Sequence, residues 1–461
     1  MHGRFIRAAA PAVMAGALTI GLWAAPGALA AARGTVAVPC SASALTSAFS
    51  SATSGGTLAL ATWCHYDLTA PLPAITGKLT ILGDGATIAR SAAAGVPDFA
   101  ILTVGGPPNY ANKTVRITNL NVSNGAPGIY LASGTLFVTG GTFSGNTTAI
   151  DSDFYTALTV SGATFTDNTG KWGGAILGSD TVKLSNSVFT GNSAQLGGAV
   201  YVQFGKQTVS DCRFVDNSAT YAGGGLYDDG KVTMTGSTFT GNQASVGGAV
   251  SVFDPTFASL AVTRSVFTAN SAQIGGAIYN YDGLTATGST FTANHATQGG
   301  AIDQDWYATL TGDNFTRNSA SARGGAMFGG YNTVVNGTTF TRNRARTDGG
   351  AIDNGLGSLG FAGPLTITGG SITGNSAGTD GGGIFNDVAV RATAAVSSTT
   401  LASNQPDNCA PSRAVSGCAA ASGRVPGGRL PGGRGATASR YVPAHHGGHI
   451  ARLLLRELTG G

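Results

Sequence analysis

The stretch Phe239–Val250 reads Phe-Thr-Gly-Asn-Gln-Ala-Ser-Val-Gly-Gly-Ala-Val, and it recurs with small changes from about residue 143 to residue 404. Each copy begins with Phe-x-x-Asn, and most copies end with Gly-Gly-Ala followed by Ile or Val. Successive phenylalanines are mostly 22 to 28 residues apart. A repeat of this length indicates a solenoid, in which each unit buries its apolar face against its neighbours.

Two positions of the repeat are nearly constant. The aromatic position is occupied by Phe143, Phe165, Phe189, Phe214, Phe239, Phe267, Phe291, Phe315 and Phe340, and then by Ile372 and Leu401. The amide position three residues later is occupied by Asn146, Asn168, Asn192, Asn217, Asn242, Asn270, Asn294, Asn318, Asn343, Asn375 and Asn404. Positions that repeat so regularly are expected to lie directly above one another in the stacked coils.

The composition of the repeat favours strands over helices. Each unit has several glycines, many Ser, Thr and Asn residues, and short runs of β-branched and aromatic residues such as Ala261–Phe267. The sequence therefore predicts an all-β fold, a right-handed parallel β-helix with coils about 4.8 Å apart. The phenylalanines are expected to form an internal column, and the asparagine amides a hydrogen-bonded ladder on the outside of a bend. The paired glycines allow a positive φ.

Phe-x-x-Asn alternating with Gly-Gly-Ala-(Ile/Leu/Val) resembles the repeat of the polymorphic outer-membrane proteins, which are surface β-helix passengers. More broadly, the chain resembles secreted actinobacterial proteins with pectate-lyase-like β-helix repeats. The resemblance covers about 260 residues and implies the fold. Because the repeated residues are packing and turn residues, it implies a function only loosely, as a surface-exposed scaffold or adhesin-like protein.

Changes in composition divide the chain into five predicted parts. Residues 1–30 have the pattern of a secretory signal peptide, with Arg4 and Arg7 before an apolar run and Ala28-Leu29-Ala30 as cleavage site. Residues 31–66 are predicted to form an N-terminal cap, with a short amphipathic helix within 41–53. The β-helix is expected over 67–408 and a disulfide-closed end over 409–418. Residues 419–461, rich in Gly, Pro and Arg, are predicted to be a disordered basic tail.

The five cysteines agree with export to an oxidising compartment. Cys40 and Cys64 flank the first mature segment, and Cys409 and Cys418 close a short loop after the last repeat. Two local disulfides, one at each end of the solenoid, are the preferred pairing. Cys212 takes the place that serine has in other copies, two residues before the phenylalanine, so it is expected to be a buried small residue. The protein is therefore predicted to be secreted, extracellular or at the cell surface.

The charge distribution argues against nucleic acid as a partner. The whole chain has a net charge of +4, but residues 34–418 have 17 Lys and Arg against 21 Asp. The basic excess lies in the two termini, and the predicted folded body is mildly acidic. No metal or cofactor signature is recognised, and no membrane span is expected in the mature chain. The sequence gives no oligomeric state.

Aromatic and acidic residues gather after the Gly-Gly-Ala-Ile/Val segments of the copies between about 201 and 307. Alternation turns some of these positions outward. Rings that stack on sugars, beside carboxylates that accept hydroxyl hydrogen bonds, are typical of a glycan-binding face. The alternative is that the aspartates shape turns and the tyrosines edge a corner of the coil. The candidate face consists of Tyr201, Tyr227, Asp228, Asp229, Tyr279, Tyr281, Asp303, Asp305 and Trp306.

Catalysis has weaker support in the sequence. Asp254 and Asp282 lie one coil apart and are the weak candidates for the two carboxyl groups of a glycosidase. The polygalacturonase signatures Asn-Thr-Asp and Gly-His-Gly are absent, as are those of pectate lyases. The favoured interpretation is a scaffold that binds an extracellular glycan or a cell-envelope polymer. A polysaccharide lyase or glycoside hydrolase, and an adhesin that binds another protein, remain the alternatives.

Overall fold

A computed structural model describes residues 34–418, apart from 53, 107–112, 255–257 and 357–362. The predicted signal peptide and basic tail lie outside the described residues. Within them the chain forms a right-handed parallel β-helix, and each regular coil passes in turn through three long sheets that we call A, B and C. Short strands and isolated bridges between sheets B and C form a fourth strip, which we call sheet D.

In the described residues sheet A has 16 strands and sheet B has 14, all parallel. Sheet A consists of Thr35–Val38, Gly56–Leu60, Leu79–Leu82, Thr114–Thr118, Gly134–Thr139, Thr156–Ser161, Thr181–Ser185, Lys206–Ser210, Lys231–Thr235, Ser259–Thr263, Gly283–Thr287, Tyr307–Thr311, Asn332–Asn336, Pro364–Thr368, Thr393–Ser397 and Val415–Ser416. Sheet B consists of His65–Leu68, Thr87–Arg90, Asn121–Ser123, Thr142–Ser144, Thr164–Thr166, Val188–Thr190, Arg213–Val215, Thr238–Thr240, Val266–Thr268, Thr290–Thr292, Asn314–Thr316, Thr339–Thr341, Ser371–Thr373 and Thr400–Ala402.

Sheet C has 13 strands in the same part of the chain, and sheet D is discontinuous. Sheet C consists of Leu102–Val104, Ile129–Leu131, Ile150–Ser152, Ile176–Gly178, Val200–Val202, Leu226–Asp228, Val250–Val252, Ile278–Asn280, Ile302–Gln304, Met327–Gly329, Ile352–Asn354, Ile384–Asn386 and Cys409–Ala410. The strands of sheet D are Ser193–Leu196, Ser218–Ala222, His295–Gln298, Ser319–Arg323 and Arg344–Ala345. The helices are α1, Ala42–Ser51, and two 3₁₀ turns, Val388–Val390 and Ser412–Ala414.

The aromatic column predicted from the repeat is confirmed. The phenylalanines pair in register in sheet B, as Phe143 does with Phe165, and all of them from Phe143 to Phe340 are buried. Neighbouring rings are 4.5–5.1 Å apart between centroids and nearly parallel. Stacked rings at this spacing are attractive when offset, and together they fill the centre of the solenoid.

The asparagine ladder is confirmed, but its expected place on the outside is wrong. The Asn217 amide donates to the Asn242 carboxamide oxygen at 3.0 Å and to the Phe189 carbonyl at 3.0 Å, and the Asn217 backbone N–H donates to the same Asn242 oxygen. Asn217 and Asn242 are both fully buried. Each amide satisfies backbone polar groups of a tight bend, and this matters because the buried asparagine side chains have no access to water.

The Gly-Gly pair makes a sharp turn from sheet D into sheet C. Gly197 has a φ of +60°, in the left-handed region where a β-carbon is strained. A β-carbon on Gly198 would lie 2.1 Å from the carbonyl oxygen of Gly224 on the next coil. The first glycine is therefore required by its conformation, and the second by the close approach of neighbouring backbones.

Both ends of the solenoid have the predicted features. Helix α1 buries Leu45, Ala48 and Phe49 in the main core, which confirms the short N-terminal helix. Cys40–Cys64 and Cys409–Cys418 are disulfides, with Cα–Cα distances of 5.6 and 6.4 Å. The solenoid starts earlier than residue 67, because Thr35–Val38 and Gly56–Leu60 already pair in sheet A. Cys212 is a buried free thiol, and burial raises its pKa to about 11.

Candidate functional site

Three of the four tyrosines of the candidate face are buried, contrary to the expectation that they are exposed. Tyr201, Tyr227 and Tyr279 occupy the middle position of their sheet C strands and are 0–4% exposed. They belong to an apolar cluster separate from the main core, together with Leu196 and Val246. Leu196 belongs to sheet D, and Val246 bridges to the same strip. Sheet D therefore covers these rings, and in this conformation they cannot stack on a ligand.

Two of the buried tyrosines, Tyr201 and Tyr279, and the half-buried Tyr130 each reach a carboxylate on the next coil. Tyr201 Oη donates to Asp229 Oδ2 at 2.8 Å, and Tyr279 Oη donates to Asp305 Oδ2 at 2.7 Å. An earlier pair, Tyr130 and Asp153, has the same arrangement at 3.0 Å. These hydrogen bonds hold the turn that follows a sheet C strand against the layer beneath sheet D.

The other two acidic members of the face are also buried. Asp228 points into the solenoid, where Oδ1 accepts from the Gly230 N–H at 2.5 Å and Oδ2 has no partner. Asp303 accepts from Gln298 Nε2 at 2.9 Å. Burial raises the pKa of both carboxyls well above the usual range, with Asp305 adding to the effect on Asp303. These groups are placed inside the protein, away from solvent.

Apart from Trp63, the rings that are exposed in the described residues lie where a sheet C strand leads into the next sheet A strand. Tyr155 is 94% exposed, Phe204 68% and Tyr307 48%. Four other rings at this turn are partly exposed. We call these residues the aromatic ridge: Tyr155, Phe204, Phe253, Tyr281, Trp306, Tyr307 and Tyr331.

Neighbouring members of the aromatic ridge contact one another. Phe253 and Tyr281 meet edge to face, with centroids 4.8 Å apart. Trp306 has its ring centroid 4.7 Å from that of Tyr331 and 5.7 Å from that of Tyr307. These contacts support the part of the ridge from Phe253 to Tyr331, where each ring packs against another ring.

Sequence reasoning found Tyr281 and Trp306 as members of the face, but it missed Tyr155, Phe204 and Tyr331. A signal was present in the sequence. Every member of the ridge lies three to five residues after the first residue of a sheet C strand, as Phe204 follows Val200. Position beyond the end of the strand, rather than position within it, decides which rings are exposed.

Carboxylates alternate with the rings along the same turn. A depression of about 550 Å³ beside Phe204 is lined by Asp180, Asp229, Asp254, Lys206 and Lys231, among others. The two lysines are paired in the register of sheet A. The depression therefore combines an exposed ring with acceptors and donors, which are the groups that bind sugar hydroxyls.

The structure brings the two catalytic candidates close enough to interact electrically. Asp229, Asp254 and Asp282 follow three consecutive sheet C strands. The net pKa of Asp229 is raised to about 6. Burial raises this pKa most, the hydrogen bond from Tyr201 lowers it, and the charge of Asp254 raises it. Burial raises the pKa of Asp282, and Asp254 adds to this effect. Asp254 thus lies between two carboxyls that hold protons more tightly than a free aspartate.

Within residues 34–418 as described, no group of three or more His, Cys, Asp or Glu side chains is placed to hold a metal ion. None of the helices in this part of the chain has the length and apolar character needed to cross a bilayer.

A match to a family model supports the fold. The family model described as "Right handed beta helix region" matches residues 109–261. Among solved structures, the chain is similar to tailspike protein 3 of bacteriophage CBA120, with a TM-score of 0.40 and 14% identity. The similarity covers 80% of this chain, which spans 59% of the tailspike chain. No curated protein matches this sequence. The class defined here is the right-handed β-helix.

Proposed function

We propose that this protein is an extracellular β-helix scaffold that binds a glycan or a cell-envelope polymer along the aromatic ridge. The observation that carries the proposal is a row of wholly or partly exposed rings on six of the eight coils from Tyr155 to Tyr331, beside a depression with carboxylate and ammonium groups. Aromatic faces bind the apolar faces of sugar rings, and the charged groups bind hydroxyls. Coils about 4.8 Å apart repeat these groups along one line, which suits an extended polymer.

Extracellular location is part of this proposal. The signal-peptide pattern of residues 1–30 supports it, and so do the two disulfides at the ends of the solenoid. The test is N-terminal sequencing of the protein recovered from culture medium and from the cell surface. A mature chain starting at Ala31 is the expected result, and retention of an intact N-terminus inside the cell would overturn the assignment.

The binding proposal is tested on a glycan array and then by calorimetry with the best polymer. Phe204→Ala and Trp306→Ala should each weaken binding at least about tenfold, because a central aromatic contact commonly contributes that much. Trp63→Ala is the matched control, since Trp63 is an exposed ring between sheets A and B, on another turn. Glycan binding would be contradicted if all three variants lost affinity equally. It would also be contradicted if the protein bound no glycan on the array but still adhered fully to cells. The latter result would favour a protein-binding adhesin.

Glycoside hydrolysis is the second candidate, and one observation favours it. Asp229 and Asp254 share the depression, and the Asp229 carboxyl holds its proton up to about pH 6. Hydrolysis of a glycosidic bond requires one protonated and one ionised carboxyl on the two sides of the bond. In this candidate Asp229 donates a proton to the leaving oxygen, and Asp254 acts as the base or nucleophile.

The test is release of reducing ends from neutral and uronic-acid polysaccharides. Hydrolysis that disappears in Asp254→Asn and Asp229→Asn, but persists in Asp216→Asn, would support an enzyme. Asp216 is an exposed aspartate on another turn and serves as the control. The scaffold function would be supported, and hydrolysis contradicted, if the protein bound a polysaccharide without releasing reducing ends. In that case Asp254→Asn and Asp229→Asn should bind as tightly as the wild type.

A further inference from the structure

Sheet D has a basic cleft toward the C-terminal end of the solenoid. The cleft has a volume of about 520 Å³. We define it by six of its lining residues: His295, Ser319, Ser321, Arg344, Arg346 and Ser376. These side chains are hydrogen-bond donors, and none is a carboxylate. The cleft belongs neither to the aromatic ridge nor to the depression beside it.

The cationic character of the cleft is local. Residues 34–418 carry more aspartates than Lys and Arg together, yet residues 313–350 have five arginines and only two aspartates. Arg344 and Arg346 are exposed, and neither guanidinium forms a salt bridge with a described residue. Two unneutralised guanidinium groups beside hydroxyls make a site that attracts oxyanions.

Strand geometry places the two guanidinium groups on one side. Ala345 is buried between them, so Arg344 and Arg346 both project outward from the same edge of the coil, about 7 Å apart at their α-carbons. Arg344 pairs with Ser319 on the preceding coil and bridges to Ser376 on the following one. His295 Nδ1 is 3.0 Å from Ser319 Oγ, which extends the polar row by another coil.

Neighbouring coils approach closely beside Arg346. Gly378 lies next to Arg346 on the following coil, and a β-carbon there would be 2.1 Å from the Arg346 carbonyl oxygen. Gly378 therefore lets the two backbones lie side by side at this end of the cleft, which it helps to line. The cleft thus has a floor of small residues, Ala320, Ala345 and Ala377, between rows of hydroxyl and cationic groups.

We infer that the basic cleft binds an anionic polysaccharide through its repeated oxyanions. The two guanidinium groups, carried by residues about 7 Å apart at their α-carbons, engage oxyanions of one chain, and the serine hydroxyls donate to the sugar beside them. A polymer presents many oxyanions to these cations at once, so binding should strengthen with polymer length. The cleft binds carboxylate and sulfate groups by the same chemistry, and the choice between them is left to the experiment.

The experiment measures binding of the full-length protein to polygalacturonate, dextran sulfate and neutral dextran by biolayer interferometry. Binding to at least one of the two polyanions, weakening with added salt and at least about tenfold weaker in Arg344→Gln/Arg346→Gln, is the expected result. The control is Arg213→Gln/Arg264→Gln, which removes the same charge from exposed positions outside the cleft. Stronger binding by one of the polyanions identifies the anionic group.

Equal binding by the cleft variant and the wild type would overturn the inference and assign polyanion binding to another basic segment, such as residues 419–461. Equal loss in the control variant would also overturn it, because general charge would then explain binding. A second measurement does not depend on folding of a variant. Bound polygalacturonate or dextran sulfate should protect Arg344 and Arg346, but not Arg213, from phenylglyoxal, and lack of protection contradicts the site.

Discussion

The Tyr201 hydroxyl donates a 2.8 Å hydrogen bond to the Asp229 carboxylate on the next coil, and both side chains are buried. The bond connects the layer beneath sheet D with the depression beside the aromatic ridge. Burial raises the pKa of this carboxyl in the candidate site, and a residue inside the packing, Tyr201, lowers it again through the hydrogen bond. The same arrangement recurs for Tyr279 and Asp305, so it is a structural element of the solenoid.

Removing this hydroxyl should change the titration of Asp229. In Tyr201→Phe the pKa of Asp229 should rise above its value of about 6, because the hydrogen bond stabilises the ionised form. The unfolding free energy at neutral pH should fall by about 1–3 kcal/mol, since a buried carboxylate loses a donor. Carboxyl NMR titration and urea denaturation measure the two effects. Tyr130→Phe, which removes the equivalent bond to Asp153, should leave the Asp229 titration unchanged.

Stability should fall as the pH rises, and Asp353 should contribute to this slope. Asp353 is fully buried, neither of its carboxyl oxygens has a hydrogen-bond partner, and burial raises its pKa to about 8. The folded state therefore binds more protons than the unfolded state between about pH 4 and 8. The stability contributed by the protonated carboxyl is complete below this range and is lost as the pH rises through it.

Asp353→Asn should reduce the slope of the unfolding free energy by up to about 1.4 kcal/mol per pH unit in this range. Chemical denaturation from pH 5 to 8 measures the slope. Asp216→Asn is the control, because Asp216 is exposed. A wild-type protein whose stability increases from pH 5 to 8, or a variant with an unchanged slope, would show that Asp353 is ionised in the folded protein.

The asparagine ladder should be among the most sensitive parts of the fold. Asn242→Ala removes donors to Phe214 O and Asn270 Oδ1, both at 3.0 Å, and the acceptor of the Asn217 N–H. Each buried group left without a partner costs about 1–3 kcal/mol, so the unfolding free energy should fall by at least about 3 kcal/mol. Gln243→Ala alters the next residue, which is exposed, and should cost less than about 1 kcal/mol. Similar losses in the two variants would argue against the ladder.

Two glycine substitutions should separate close approach from backbone conformation. Gly198→Ala places a β-carbon against the Gly224 carbonyl and should prevent folding or lower the melting temperature severely. Gly312 has a φ of +65° with open space around it, so Gly312→Ala should cost only about 1–2 kcal/mol of conformational strain. Thermal unfolding followed by circular dichroism compares them. A mild effect of Gly198→Ala would mean that adjacent coils separate easily at the Gly-Gly turn.

The sequence by itself determined the coil. Phe-x-x-Asn and Gly-Gly-Ala repeat at a nearly constant period, and identical residues one period apart must occupy equivalent places in a stack. For this reason the phenylalanine column, the pairing of the cysteines, the amphipathic helix with Leu45 and Phe49, and the buried place of Cys212 were all predictable from spacing and composition.

Only the tertiary structure decided which side chains of the candidate site meet solvent. Strict alternation along a strand predicts that Tyr201 and Tyr279 point away from the main core. Both tyrosines do lie outside the main core, but sheet D covers them. Whether a side chain is exposed depends on which other segment packs over it. The alternation of residues within sheet C does not predict that residues such as Leu196 cover that sheet. The turn beyond the strand, with Phe204 and Trp306, is where the rings reach solvent, because sheet D does not extend over it.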